Sequence, residues 1–130
     1  MAGVRLGRVL IAAVLAEAIG IAALIALVAV FGPHESRAAQ HFAERLGLWE
    51  GPISGLVLCV GGGFWVARGL EADQLRNGLA LGLAAALVDV ALLVGSSTPF
   101  QPVFLFSNLG RIVAGGCGGW LASRLHPAGR

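Results

Sequence analysis

The chain has 130 residues, of which 57% are hydrophobic and 12% charged, and its net charge of +2 comes from nine arginines and no lysine against seven acids. Soluble domains carry about 25% charged residues, so this composition predicts an integral membrane protein. It excludes a disordered chain, which needs low hydrophobicity, and a nucleic-acid-binding domain, which needs far denser positive charge along one surface.

A helix crossing ~30 Å of hydrocarbon needs roughly 20 apolar residues, and four stretches qualify, at about 9–31, 53–69, 78–95 and 103–123. The first follows Arg5 and Arg8 and contains a small-x-small pair at Ala16 and Ala18, as a cleavable secretory signal would. Its apolar run continues to Phe31, longer than the about 7–15 residues of a signal core, so a retained helix is expected. Between the first and second spans, Ala39, Phe42, Leu46 and Trp49 recur at helical spacing, with Arg37, Gln40, His41, Glu44 and Arg45 on the remaining faces. This predicts a short amphipathic helix over about 36–49 lying along the outer membrane surface, with Trp49 at headgroup level. Across the whole outer segment 32–51 three glutamates outnumber two arginines, so attraction to anionic lipid is not its purpose. A cover over the outer mouth of the bundle and a docking surface for a partner both remain open for it.

Orientation follows from the arginines. A cytoplasmic N-terminus puts Arg5, Arg8, Arg68, Arg76, Arg124 and Arg130 inside and only Arg37 and Arg45 outside. Both termini are therefore expected in the cytoplasm, in a bacterial-type inner (plasma) membrane.

The two halves echo each other. Aligning Glu17 with Asp89 matches residues 11–18 with 83–90 at three identical positions, and Gly61, Gly62, Gly63, Trp65 and Arg68 echo Gly118, Gly119, Trp120 and Arg124. Either the chain is a duplicated two-span hairpin, a 2+2 parallel repeat, or the halves share composition and interface chemistry only.

Three charged residues fall inside spans, where each costs roughly 2.5–3.5 kcal/mol on the insertion scale. At a rise of ~1.5 Å per residue, Asp89 and Arg111 lie at similar depths, about 17 and 18 Å from the inside, and Glu17 lies about 12 Å from it. The third and fourth spans are joined by a short connector and must be antiparallel neighbours, so Asp89 and Arg111 are expected to form an intramembrane ion pair. Asn108, one turn before Arg111, adds a hydrogen-bonding group. Glu17 has no equally obvious partner and is a candidate proton site. It reaches Arg111 only if the first span packs against the fourth.

Glycine is abundant, with twenty in the chain. Ala12, Ala16 and Gly20 form a small-residue stripe, and Gly51 with Gly55, Gly78 with Gly82, and Gly115 with Gly119 have the small-xxx-small spacing that lets helices approach closely. Gly61, Gly62 and Gly63 are expected either to pack in the same way or to unwind and present carbonyls, as discontinuous transporter helices do. Catalytic and metal signals are thin. His34, His41 and His126 lie near ends or in loops without metal-ligand spacing, and Cys59 and Cys117, at different depths, read as buried small hydrophobes rather than a disulfide.

Residues 13–20, Ala-Val-Leu-Ala-Glu-Ala-Ile-Gly, resemble the first helix of the small multidrug resistance transporters, and the resemblance would give Glu17 that family's role of binding protons and cationic drugs in competition. It covers these eight residues alone. The chain has no Tyr, carries an inserted outer helix and places Asp89 and Arg111 in the membrane, so the family's properties are not carried over.

The sequence therefore predicts an all-α, four-transmembrane-helix bundle forming one membrane domain over 1–130, with an outer interfacial helix and with no cofactor or metal. Two functions follow. One is a non-enzymatic accessory or scaffold subunit, packing through its glycines and ion pair with a membrane protein partner or a second copy. The other is a small proton-coupled transporter using Glu17, with the Asp89–Arg111 pair as its gate.

Overall fold

The computed structural model describes residues 3–125, and over these the chain folds as four helices: α1 (Leu6–Phe31), α2 (Ser36–Ala67), α3 (Gln74–Gly95) and α4 (Pro102–Leu125). Arg130 and His126, used above, lie outside the described residues. α1, α2 and α3 are long and apolar enough to cross a membrane. α4 is equally long, but Asn108, Arg111 and its glycines make it more polar, and a large share of it is buried against the other helices.

Consecutive helices run antiparallel. One end of the bundle, the near end, carries the start of α1, the α2–α3 connection and the end of α4, and with them Arg5, Arg8, Arg68, Arg76 and Arg124. The far end carries the α1–α2 and α3–α4 connections. α4 packs most extensively against α2 and α3, and α1 packs against the same two helices, so α1 and α4 face each other diagonally without backbone contact.

Small side chains set this packing. α1 buries Val9, Ala12, Ala13, Ala16 and Glu17, a stripe at i, i+3, i+4, i+7 and i+8 that is one face of a helix. Val9 and Ala12 belong with Val66 and Leu81 to one buried apolar cluster, and Ala13 belongs with Cys59, Ala85 and Ala114 to a second. At the near end the fully buried Asn77 ties the start of α1 to the α2–α3 connection. Its Oδ1 accepts from the Arg5 backbone N–H at 2.8 Å, and its Nδ2 donates to the Asp73 carbonyl at 3.0 Å.

One sequence expectation is corrected. The interfacial helix at 36–49 and the span at 53–69 are not separate elements: α2 runs unbroken for 32 residues, with Pro52 inside it. Proline removes one N–H and so forfeits one hydrogen bond. Ending a helix there would instead leave about four carbonyls and four N–H groups without partners, which is worse in apolar surroundings. The N-terminal part of α2 also lies against α1, where a Cβ on Gly47 would touch Leu24 at 3.6 Å. The first hairpin consequently overhangs the second. Phe31 lies about 21 Å along α1 from Glu17, whereas Gly95 is only about 9 Å along α3 from Asp89.

The glycines divide into two kinds. A Cβ on Gly78 would come within 2.9 Å of the Gly119 Cα, one on Gly82 within 2.6 Å of the Ile112 Cα, and one on Gly115 within 3.0 Å of the Gly82 Cα. These positions, with Gly119, bring α3 and α4 into backbone contact, as their spacing predicts. Gly20 would meet Ser54 Oγ at 3.2 Å, Gly62 the Leu81 side chain at 2.9 Å and Gly63 the Gly115 Cα at 3.1 Å. Gly61 faces open space, which corrects its assignment as a packing residue. The unwinding alternative also fails for the Gly61, Gly62 and Gly63 run, because α2 stays helical through it.

Cys59 is buried and Cys117 exposed, and both are free. The expectation of two buried thiols is corrected for Cys117, which points outward because its neighbours Gly115, Gly118 and Gly119 occupy the contacting faces of α4. In detergent solution N-ethylmaleimide should therefore modify Cys117 far faster than Cys59, by mass spectrometry of the intact chain. Equal rates would contradict the way α4 is rotated in the bundle.

Candidate functional site

The site is built from one residue of each helix. Asp89 lies on the α3 face that also carries Gly78, Gly82 and Ala85, so it points toward α4. Arg111 lies on the α4 face that carries Ala114, Gly115 and Gly118, and it is 4% exposed. Its side chain enters the centre of the bundle because α2 has Gly55 there. A Cβ at that position would be 2.7 Å from the guanidinium Nε and 2.9 Å from its Cζ. The guanidinium then reaches two carboxylates, Asp89 Oδ1 from NH2 at 3.3 Å and Glu17 Oε1 from NH1 in a close ion pair.

The expected Asp89–Arg111 pair is therefore present, and Asn108 joins it through the acid. Asn108 Nδ2 donates to Asp89 Oδ2 at 2.9 Å and to the Phe104 carbonyl at 2.9 Å. The reading of Glu17 as a residue without an obvious partner is corrected. α1 does not pack against α4, yet the long arginine side chain spans the diagonal, and the two acids that the half-to-half alignment matched meet on one guanidinium. Two atoms of this cluster, Asn108 Oδ1 and Arg111 Nε, are buried with no hydrogen-bond partner among the described residues. Buried polar groups are nearly always paired, so the cluster retains binding capacity of its own.

The charge count is as informative as the geometry. Two carboxylates on one guanidinium have a formal charge of −1 when all three are ionised. A cleft of about 420 Å³ descends to this cluster from the far end. Its floor is Glu17, Gly55, Asp89 and Arg111, its walls include Gly20, Leu24 and Leu92, and Glu50, Ser54 and Ser96 supply polar groups along it. Nearly all of its lining surface is apolar, as in most small-molecule sites, where few polar groups fix orientation.

Glu50 and Ser54 were not anticipated as site residues. On the continuous α2 they belong, with Gly47, Gly51 and Gly55, to a stripe at i, i+3, i+4, i+7 and i+8 that faces the cleft. That spacing was present in the sequence, but a helix boundary at Pro52 divides it between two elements. Ala16 and Gly20, expected to serve packing, also line the cleft.

Bundle and site together define an all-helical protein with at least three helices apolar enough to cross a membrane and a buried, net-acidic carboxylate–guanidinium cluster open to one end. No known family model, no characterised protein and no solved structure matches the chain.

Proposed function

We propose that the chain is a small four-span membrane protein, both termini cytoplasmic, that binds a proton or a small organic cation at Glu17 and Asp89 and carries one in exchange for the other. The observation that supports this reading is the cleft reaching the cluster. A buried set of two acids and one arginine is left with one negative charge, and in apolar surroundings an uncompensated charge is costly. A proton or a monovalent cation entering from the far end removes it. The apolar walls suit the body of an organic cation, and Glu50 adds a third acid, above the floor, along its path. Arg111 holds both carboxylates at the floor and competes with the incoming cation for them, which is the sense in which the Asp89–Arg111 pair acts as a gate.

The test uses proteoliposomes holding the purified chain, acidic inside, with labelled tetraethylammonium outside. Accumulation driven by the proton gradient is expected, with loss of most of it in Glu17→Gln and in Asp89→Asn. No accumulation above empty vesicles, or accumulation unchanged in both variants, overturns the reading.

A second reading, an accessory subunit of a larger assembly or a second copy of itself, draws on α1. Outside its buried stripe α1 exposes Leu10, Ile11, Val14, Leu15 and Ile25, an apolar face that fits a partner helix as well as lipid. Chemical crosslinking in native membranes would distinguish the two: a chain that remains wholly monomeric removes this reading.

A further inference from the structure

We propose that the near end of the bundle binds the phosphate group of an anionic lipid between Arg5, Arg8 and Arg68. These three arginines line one open concavity together with Gly69. No carboxylate pairs with any of them among the described residues: of the two acids in the α2–α3 connection, Asp73 engages Arg76 at 3.5 Å and Glu71 is exposed to solvent. Three unneutralised guanidinium groups converge on one recess, and a guanidinium fork matches phosphate oxygens two at a time.

Three further features prepare the recess for an anion. Arg8 lies over the ring of Trp65, 5.7 Å from its centroid, a cation–π contact that holds the charge at this height. Arg5 is fixed through its main chain, whose N–H donates to Asn77. Arg5 is also the N-cap of α1 and makes no side-chain capping bond; the Leu6 N–H is taken by the Val4 carbonyl, but the positive dipole end of this 26-residue helix lies beside the same arginines.

A lipid is favoured over free phosphate by what lies next to the recess. Leu6 and Leu10, 66% and 57% exposed, begin the apolar surface of α1 one turn apart immediately beside Arg5 and Arg8, giving acyl chains a surface to lie on while the headgroup meets the arginines. Basic recesses between helix ends on the cytoplasmic side suit anionic headgroups. The inference rests on the membrane reading but not on the acidic cluster. A chain that carries no cation and still selects anionic lipid would leave it standing.

The experiment is native mass spectrometry of the full chain in non-ionic detergent, offered equal amounts of phosphatidylglycerol and phosphatidylcholine with the same acyl chains. One phosphatidylglycerol per chain should be retained with a preference of about tenfold or more. The preference should vanish in R5Q/R8Q/R68Q, weaken in R68Q alone, survive in R5K/R8K/R68K and be unaffected by R37Q/R45Q at the far end. The lysine variant and R68Q keep the test valid if the triple glutamine variant fails to fold. Equal retention of the two lipids, an unchanged preference in R68Q and R5Q/R8Q/R68Q, or displacement of phosphatidylglycerol by excess inorganic phosphate would overturn the proposal.

Discussion

Arg111→Gln is expected to destabilise the bundle by about 3–5 kcal/mol, the range seen when one member of a buried ion pair is removed and its partner stays charged. The effect should fall at the high end of that range, because two acids lose their counter-charge at once. Glu17 is about one-tenth and Asp89 about one-fifth exposed in their side chains, so water gives limited help. Asn108 remains as a donor to Asp89, but a neutral amide does not balance a charge. Glu17→Gln should cost far less, since Asp89, Arg111 and Asn108 then form a charge-balanced set. Thermal unfolding in a single detergent, followed by circular dichroism, provides the comparison, and Glu17→Gln/Asp89→Asn/Arg111→Gln should recover most of the loss. Lysine at 111 should restore only part of it, because an ammonium lacks the fork that lets one side chain reach acids on two helices. An Arg111→Gln variant that melts with the wild type would show that the cluster does not hold the helices together.

The contrast between Arg111 and Glu17 also marks where the sequence was legible. Charge in an apolar span is an unmistakable signal, so Glu17, Asp89 and Arg111 stand out, and the short α3–α4 connector is enough to pair the last two. Pairing Glu17 with Arg111 needs the arrangement of the helices. The arrangement here is diagonal, with contact made through the length of one side chain past Gly55, and no helix-to-helix spacing encodes that. The small-xxx-small pairs on α3 and α4 were equally legible, because a repeat of four places small residues on one helical face. Gly118 was recognised only as part of an echo between the halves, since the pattern does not say that α4 needs glycine on two faces, one for α2 and one for α3. Proline misled the reading of α2. Its local penalty is real, but whether the helix ends depends on what else would satisfy the backbone groups, which is a property of the surroundings. The cleft was hidden by the same boundary, since its α2 wall is continuous only if Pro52 sits within the helix.

Gly118→Ala should be the more damaging of two alanine substitutions that look alike in the sequence. A Cβ at Gly118 would lie 2.7 Å from the Phe64 backbone nitrogen, 3.0 Å from the Gly63 carbonyl carbon and closer still to the Val60 carbonyl oxygen. All three are main-chain atoms of α2, so no side-chain rotation relieves the clash, and the helices must separate. Overpacking a tight interior typically costs about 1–3 kcal/mol and occasionally more. Here the upper part of that range is expected, because Gly63 and Gly115 use the same crossing and lose their contact as α2 and α4 part. Gly61→Ala, on the facing helix and inside the other glycine run, has nothing within 4 Å of its new Cβ. It should leave stability unchanged or raise it by about 0.5–1 kcal/mol, through the lower entropy cost of ordering alanine in a helix. Melting temperatures of the two variants in one detergent decide the matter. The order Gly61→Ala above wild type above Gly118→Ala is the expected result, and equal losses at the two sites would mean that α2 and α4 do not cross on these glycines.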